Sequence, residues 1–91
     1  MSLTPEGTVV KSIRTYLRKK NYLTINIISA SPNGIPDMLV ISDQGAHVYL
    51  EIKREIGGRV SPVQRLMHKK LRRHNCEVYV VETLAEVKEI L

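Results

Sequence analysis

The sequence predicts an α/β fold in which a mixed β-sheet is flanked by helices, with elements in the order α-β-β-β-α-β-α. Three observations predict it. Helix-capping signals stand before three stretches with helical patterning. Short β-branched or alternating runs, bounded by turn residues, separate those stretches. The third is composition: 91 residues, 43% hydrophobic, whose only aromatic residues are four tyrosines, suit one modest aliphatic core in a single domain.

The first helix starts at Thr4-Pro5-Glu6, a capping residue, a proline suited to the first helical position and an acid in the first turn, and is predicted to run to about Asn21. Val9, Val10, Ile13 and Leu17 form its apolar stripe, while Lys11, Arg14, Arg18, Lys19 and Lys20 fall mostly elsewhere. Glu6 breaks this pattern. It precedes Val10 by four residues and Ile13 by seven, which puts a carboxylate on the inward face.

Leu23 to Ile28 reads as a strand, the run from Ser29 to Gly34 as a turn-rich connection, and Met38 to Ser42 as a second strand. Asp43-Gln44-Gly45 then turns the chain into a third strand, Ala46 to Lys53, making a hairpin. After Gly57-Gly58-Arg59, Ser61-Pro62-Val63-Gln64 has capping-box form and opens a second helix that ends near Asn75. Its inner stripe is predicted as Val63, Leu66, Met67 and Leu71, with Lys69, Lys70, Arg72 and Arg73 outside. Glu77 to Val81 is a fourth strand, and Thr83-Leu84-Ala85-Glu86 repeats the capping pattern before a short last helix.

The formal charge of +5 favours polyanionic partners, because clustered Lys and Arg gain affinity for phosphates by releasing condensed counterions. Residues 1–75 carry 13 Lys or Arg against 5 acids, and residues 76–91 carry 1 Lys against 4 acids. The last segment is therefore expected to face away from any nucleic acid. Cys76 alone can form no internal disulfide and reads as a small core residue, so nothing argues for secretion. No apolar signal core or membrane segment is evident.

Strand alternation puts Val48, Leu50 and Ile52 on one face of the third strand and Tyr49, Glu51 and Lys53 on the other. The Cα atoms of Glu51 and Lys53 then lie roughly 6.6 Å apart, near enough to serve one phosphate. Taken alone, the pair reads first as an ordinary ion pair on an exposed strand. Asp37 opens the neighbouring strand after Gly34-Ile35-Pro36, where Gly permits a tight backbone path and Pro stiffens the approach. Two carboxylates on adjacent strands repel unless a cation lies between them. Their hard oxygens suit Mg²⁺ or Mn²⁺, and neither the three histidines nor the lone cysteine has zinc-ligand spacing. His47, His68 and His74 offer no proton-shuttle arrangement.

Pro36-Asp37, thirteen residues, then Glu51-Ile52-Lys53 resembles the signature of the PD-(D/E)xK nucleases. Gly34-Ile35-Pro36-Asp37, Glu51-Ile52-Lys53 and Gly57-Gly58-Arg59-Val60-Ser61-Pro62-Val63-Gln64 together resemble its VRR-NUC branch. The resemblance spans nearly the whole chain and implies a restriction-endonuclease-like fold over residues 1–91, in a stand-alone member of phage or bacterial type working in the cytoplasm. It implies that Asp37, Glu51 and the backbone carbonyl of Ile52 bind Mg²⁺ or Mn²⁺, and that Lys53 orients the attacking water or stabilises the transition state. Glu6 matches an acid that family members carry on the first helix, acting on the metal through water, and Gln64 matches a residue bordering the active site. Lys53, Arg54 and Arg59 adjoin this constellation and are candidates for contact with the scissile strand.

The function implied is a metal-dependent DNA endonuclease with no organic cofactor and no membrane partner. Stand-alone relatives resemble Holliday junction resolvases, which implies a homodimer preferring branched DNA. The alternatives are a non-catalytic DNA-binding module that retains the fold and a scaffold whose ionic cluster is structural.

Overall fold

The computed structural model describes residues 5–27, 33–53 and 60–91, with side chains from residue 8 onward. Helix α1 spans Pro5–Lys19, strands β1, β2 and β3 span Leu23–Asn26, Met38–Ile41 and His47–Ile52, helix α2 spans Pro62–Arg73, strand β4 spans Glu77–Val81 and helix α3 spans Leu84–Ile90. The predicted order holds, and most boundaries fall within two residues of the reading above.

Asparagine ends both long helices. Asn21 and Asn75 have φ of 66° and 64°, the left-handed conformation that asparagine tolerates better than other side chains. Behind each, the chain closes with paired bonds: Asn21 and Tyr22 donate to the carbonyls of Arg18 and Leu17, and Asn75 and Cys76 to those of Arg72 and Leu71. This double closure satisfies carbonyls that the end of a helix would otherwise leave bare. Each helix therefore stops abruptly and delivers the chain to a strand.

The strands lie in the order β1-β2-β3-β4. The β1–β2 and β2–β3 pairs are antiparallel, and β3–β4 is parallel, joined by the crossover through α2. In register, Met38 faces Leu50 and Leu50 faces Tyr79, while Glu51 faces Val80. Alternation sends Val48, Leu50 and Ile52 to one face, where they meet Met38 and Val40 of β2, Val81 of β4, Ile13 and Leu17 of α1, and Val87 of α3 in the buried core. Each such side chain contributes about 1.5–3 kcal/mol on leaving water.

The other face is only partly covered. Helix α2 packs there against β4, held by a 2.8 Å bond from the Arg72 guanidinium to the Val78 carbonyl. Leu23 and Ile25 on the outer strand β1 remain exposed. None of the described helices is long and apolar enough to cross a membrane.

Two readings of the core are corrected. Val63 and Leu66 are 53% and 56% exposed, so they do not belong to the inner stripe of α2. That stripe runs through Gln64, Met67, His68 and Leu71, rotated because the helix packs on the end strand of the sheet and buries a narrower face than a helix lying over the centre. Cys76 is half-buried at the corner between α2 and β4 and is not part of the core.

Candidate active site

The site forms where β2 begins and β3 ends. Gly34 adopts φ of 85°, a conformation available to glycine at little cost, and lies so close to the first turn of α2 that a Cβ there would come within 2.6 Å of the Val63 carbonyl oxygen. Pro36 is buried behind it. Together they bring Asp37 to the head of β2, where its Oδ2 accepts a 2.8 Å hydrogen bond from the Ile52 amide. The Asp37 carbonyl accepts a bond from the Ile27 amide, also at 2.8 Å. Asp37 is thereby tied to the strands on both sides of it.

Glu51 is fully buried. Its Oε1 lies 3.2 Å from Nε2 of His68, which is 2% exposed and reaches the sheet from α2. Its Oε2 is buried with no hydrogen-bond partner, and Nζ of Lys53 stands 3.6 Å away in an ion pair. Burial, and after it the neighbouring Asp37 carboxylate, push the Glu51 carboxyl up from an ordinary 4.5 to about 8, with Lys53 pulling the other way. Burial, followed by the charges of Arg72 and Lys53, lowers the basicity of His68. A neutral imidazole can donate from Nε2 to a Glu51 carboxylate.

Of the residues singled out from sequence, Asp37, Glu51, Ile52 and Lys53 converge as alternation and the hairpin predicted. The exposed-strand ion pair is excluded, because Glu51 is wholly buried. Gln64 forms the capping box: its Oε1 accepts the Ser61 amide at 2.9 Å and the Ser61 Oγ accepts the Gln64 amide at 3.2 Å. Those bonds hold it to its own helix start. The side chain of Glu6, and Arg54 and Arg59 altogether, lie outside the described residues.

Sequence reasoning considered His68 only as a proton shuttle and gave it no place in the site. It had a signal, since His68 follows Gln64 by four and precedes Leu71 by three, which puts all three on one helical strip. Reading Val63 and Leu66 as core concealed that strip.

The donor set fits a hard divalent cation. Two repelling carboxylates, one with a buried oxygen lacking a hydrogen-bond partner, gain from a positive charge between them. Among the described residues no group of three or more His, Cys, Asp or Glu is placed to hold a metal. Asp37 and Glu51 could supply side-chain ligands, with water and backbone at further positions, which is the habit of Mg²⁺. Beside this centre opens a cleft of about 350 Å³ lined by Val60, Arg65, His68, Lys69, Arg72 and Val80. Its three cationic side chains recur along one edge of α2.

No family model matches the sequence. No curated protein matches it either. Solved structures do match the fold, among them two described as VRR_NUC domains. One, described as a VRR_NUC domain, is 26% identical, with a TM-score of 0.86 over 96% of this chain and 94% of the other. The second, described as a VRR_NUC domain protein, is 13% identical, with a TM-score of 0.77 over 99% of this chain and 87% of the other, a likeness of fold alone.

Proposed function

We propose that this chain, which is similar over nearly its whole length to a VRR_NUC domain, is a nuclease that hydrolyses DNA phosphodiester bonds with Mg²⁺ or Mn²⁺. The observation that carries this reading is the buried Oε2 of Glu51, which has no hydrogen-bond partner and stands beside Asp37 and Lys53. A folded protein rarely leaves a buried carboxylate oxygen in that condition unless a ligand completes it.

In this reading Asp37 and Glu51 hold the cation, joined by the backbone carbonyl of Ile52. When bound, the cation polarises the phosphoryl oxygen and lowers the pKa of a coordinated water. The protein's own residues do the rest. The Ile52 amide keeps the Asp37 carboxylate oriented. Lys53, 16% exposed at its side chain, reaches the site from the accessible side and stabilises negative charge as it develops on the phosphate. Arg65 and Lys69 line the adjoining cleft and bind flanking phosphates. Gln64 fixes the start of α2 through the capping box with Ser61.

The preferred substrate is branched DNA, cut by a homodimer. The resemblance of the sequence motifs to nucleases akin to Holliday junction resolvases supports this, as does the small surface that a domain of this size offers for enclosing DNA.

A cleavage assay on labelled linear, flap and four-way DNA with Mg²⁺ and Mn²⁺ tests the proposal. Metal-dependent cleavage, abolished by Asp37→Ala and Glu51→Ala, is expected. Tight, salt-sensitive binding without cleavage on any substrate would instead identify a DNA-binding module. Light scattering tests the dimer, and a monomeric mass refutes it.

A further inference from the structure

Glu51 has two carboxylate oxygens in different situations. Oε1 lies 3.2 Å from His68 Nε2, and Oε2 has no hydrogen-bond partner. A carboxylate free to rotate would exchange the two. Here it is fully buried, and the imidazole beside it is 2% exposed, so neither group can turn into water. His68 is itself fixed, because α2 is fastened to β4 through the 2.8 Å bond from Arg72 to the Val78 carbonyl and begins at the capping box of Ser61 and Gln64.

We propose that His68 is a positioning residue of the metal site, donating from Nε2 to Glu51 Oε1 and thereby presenting Oε2 to the cation. This rests on the metal-dependent reading above. His68 does not itself touch the cation. By holding one oxygen, it removes the rotational freedom that cation binding would otherwise have to freeze, and it keeps the buried carboxyl group hydrogen-bonded when the cation is absent. The crossover helix thus does more than connect β3 to β4. It carries the group that aims Glu51.

The test is Mn²⁺ binding to the intact chain, followed by titration calorimetry and by the electron paramagnetic resonance of free Mn²⁺. His68→Leu removes the donor while keeping an apolar side chain at the buried position, and should weaken Mn²⁺ binding by about 10- to 100-fold. His68→Gln, whose amide can donate from a similar place, should recover most of that loss. The same pair should differ in kcat at saturating DNA with little change in KM. Mn²⁺ affinity unchanged in a folded His68→Leu protein, or His68→Gln no better than His68→Leu, overturns the inference.

Direct ligation is separated by spin-echo spectroscopy, since an imidazole-nitrogen coupling to Mn²⁺ in the wild type would make His68 a ligand and overturn the positioning role. If His68→Leu does not fold, ¹⁵N NMR of the wild-type imidazole decides. A proton on Nε2 with and without Mg²⁺ supports the proposal, and its loss on adding Mg²⁺ refutes it. No Mn²⁺ binding by the wild type would overturn the metal-dependent reading and this inference with it. Wild-type binding that is lost in Asp37→Asn and kept in His68→Leu overturns only the inference.

Discussion

The Oδ2 of Asp37 accepts the backbone amide of Ile52 at 2.8 Å, so the residue that opens β2 is bonded to the last residue of β3. One carboxylate is thereby both a structural acceptor and one of two neighbouring negative charges. Substitutions can separate these roles. Asp37→Asn keeps an oxygen for the Ile52 amide and removes the charge that repels an ionised Glu51, so metal-free stability above pH 8 should hold or rise while Mn²⁺ binding and cleavage are lost. Asp37→Ala also strands a part-buried amide and should cost about 1–3 kcal/mol. Urea unfolding of both variants in EDTA measures the difference, and equal stability would mean that the Ile52 bond contributes nothing.

Stability should depend on pH through Glu51. Its carboxyl in the fold is raised to about 8 from 4.5, so the protonated form is the one that the fold favours. The contribution is complete below pH 4.5 and is lost as pH rises through about 8. His68, lowered from 6.5, acts in the opposite sense, its neutral form being favoured. The metal-free melting temperature of Glu51→Gln minus that of the wild type should therefore grow from pH 5 to pH 8. A difference independent of pH would contradict the raised value.

The same displacement couples the cation to a proton. At pH 7 Glu51 is largely protonated in the metal-free protein, so Mn²⁺ binding should release about one proton per cation. Calorimetry in buffers of different ionisation enthalpy reads this number directly. Release near zero at pH 7 would show that Glu51 is already ionised or is not a ligand.

Lys53→Met should leave Mn²⁺ affinity within a few-fold of wild type and reduce kcat by about 10²–10³-fold, because the ammonium acts mainly on charge that develops in the transition state. Loss confined to KM would instead make Lys53 a substrate-binding group.

The basic edge of α2 should appear in the salt dependence of DNA binding. Each of Arg65→Ala and Lys69→Ala should lower the slope of log K against log salt by about 1, with similar loss on all sequences. Hydrolysis of a small phosphodiester by the same variants should be unchanged. Unaltered slopes would remove the cleft from the DNA path.

Much of this protein is legible without its tertiary structure. Helix and strand periods depend on neighbours three, four or two residues away, so Ile13 and Leu17 on one helix face and Val48, Leu50 and Ile52 on one strand face could be assigned from the chain alone. Caps are equally local, as Ser61 and Gln64 bond to each other across three residues. A short turn brings β2 to β3, and that was enough to place Asp37 beside Glu51 and Lys53.

What only the tertiary structure decided is the environment of those residues. Burial of Glu51 follows from α2 packing over one end of the sheet, and no pattern in β3 distinguishes that from an exposed ion pair. The partner His68 lies 17 residues along the chain, and its contact depends on the rotation of α2 about its own axis, which β4 and the Arg72–Val78 bond determine. Helix periodicity specifies a stripe only to within one side chain when apolar residues such as Val63 and Leu66 also stand on the exposed face. The choice between the two stripes is made by packing across long sequence separations, where local propensity carries no information.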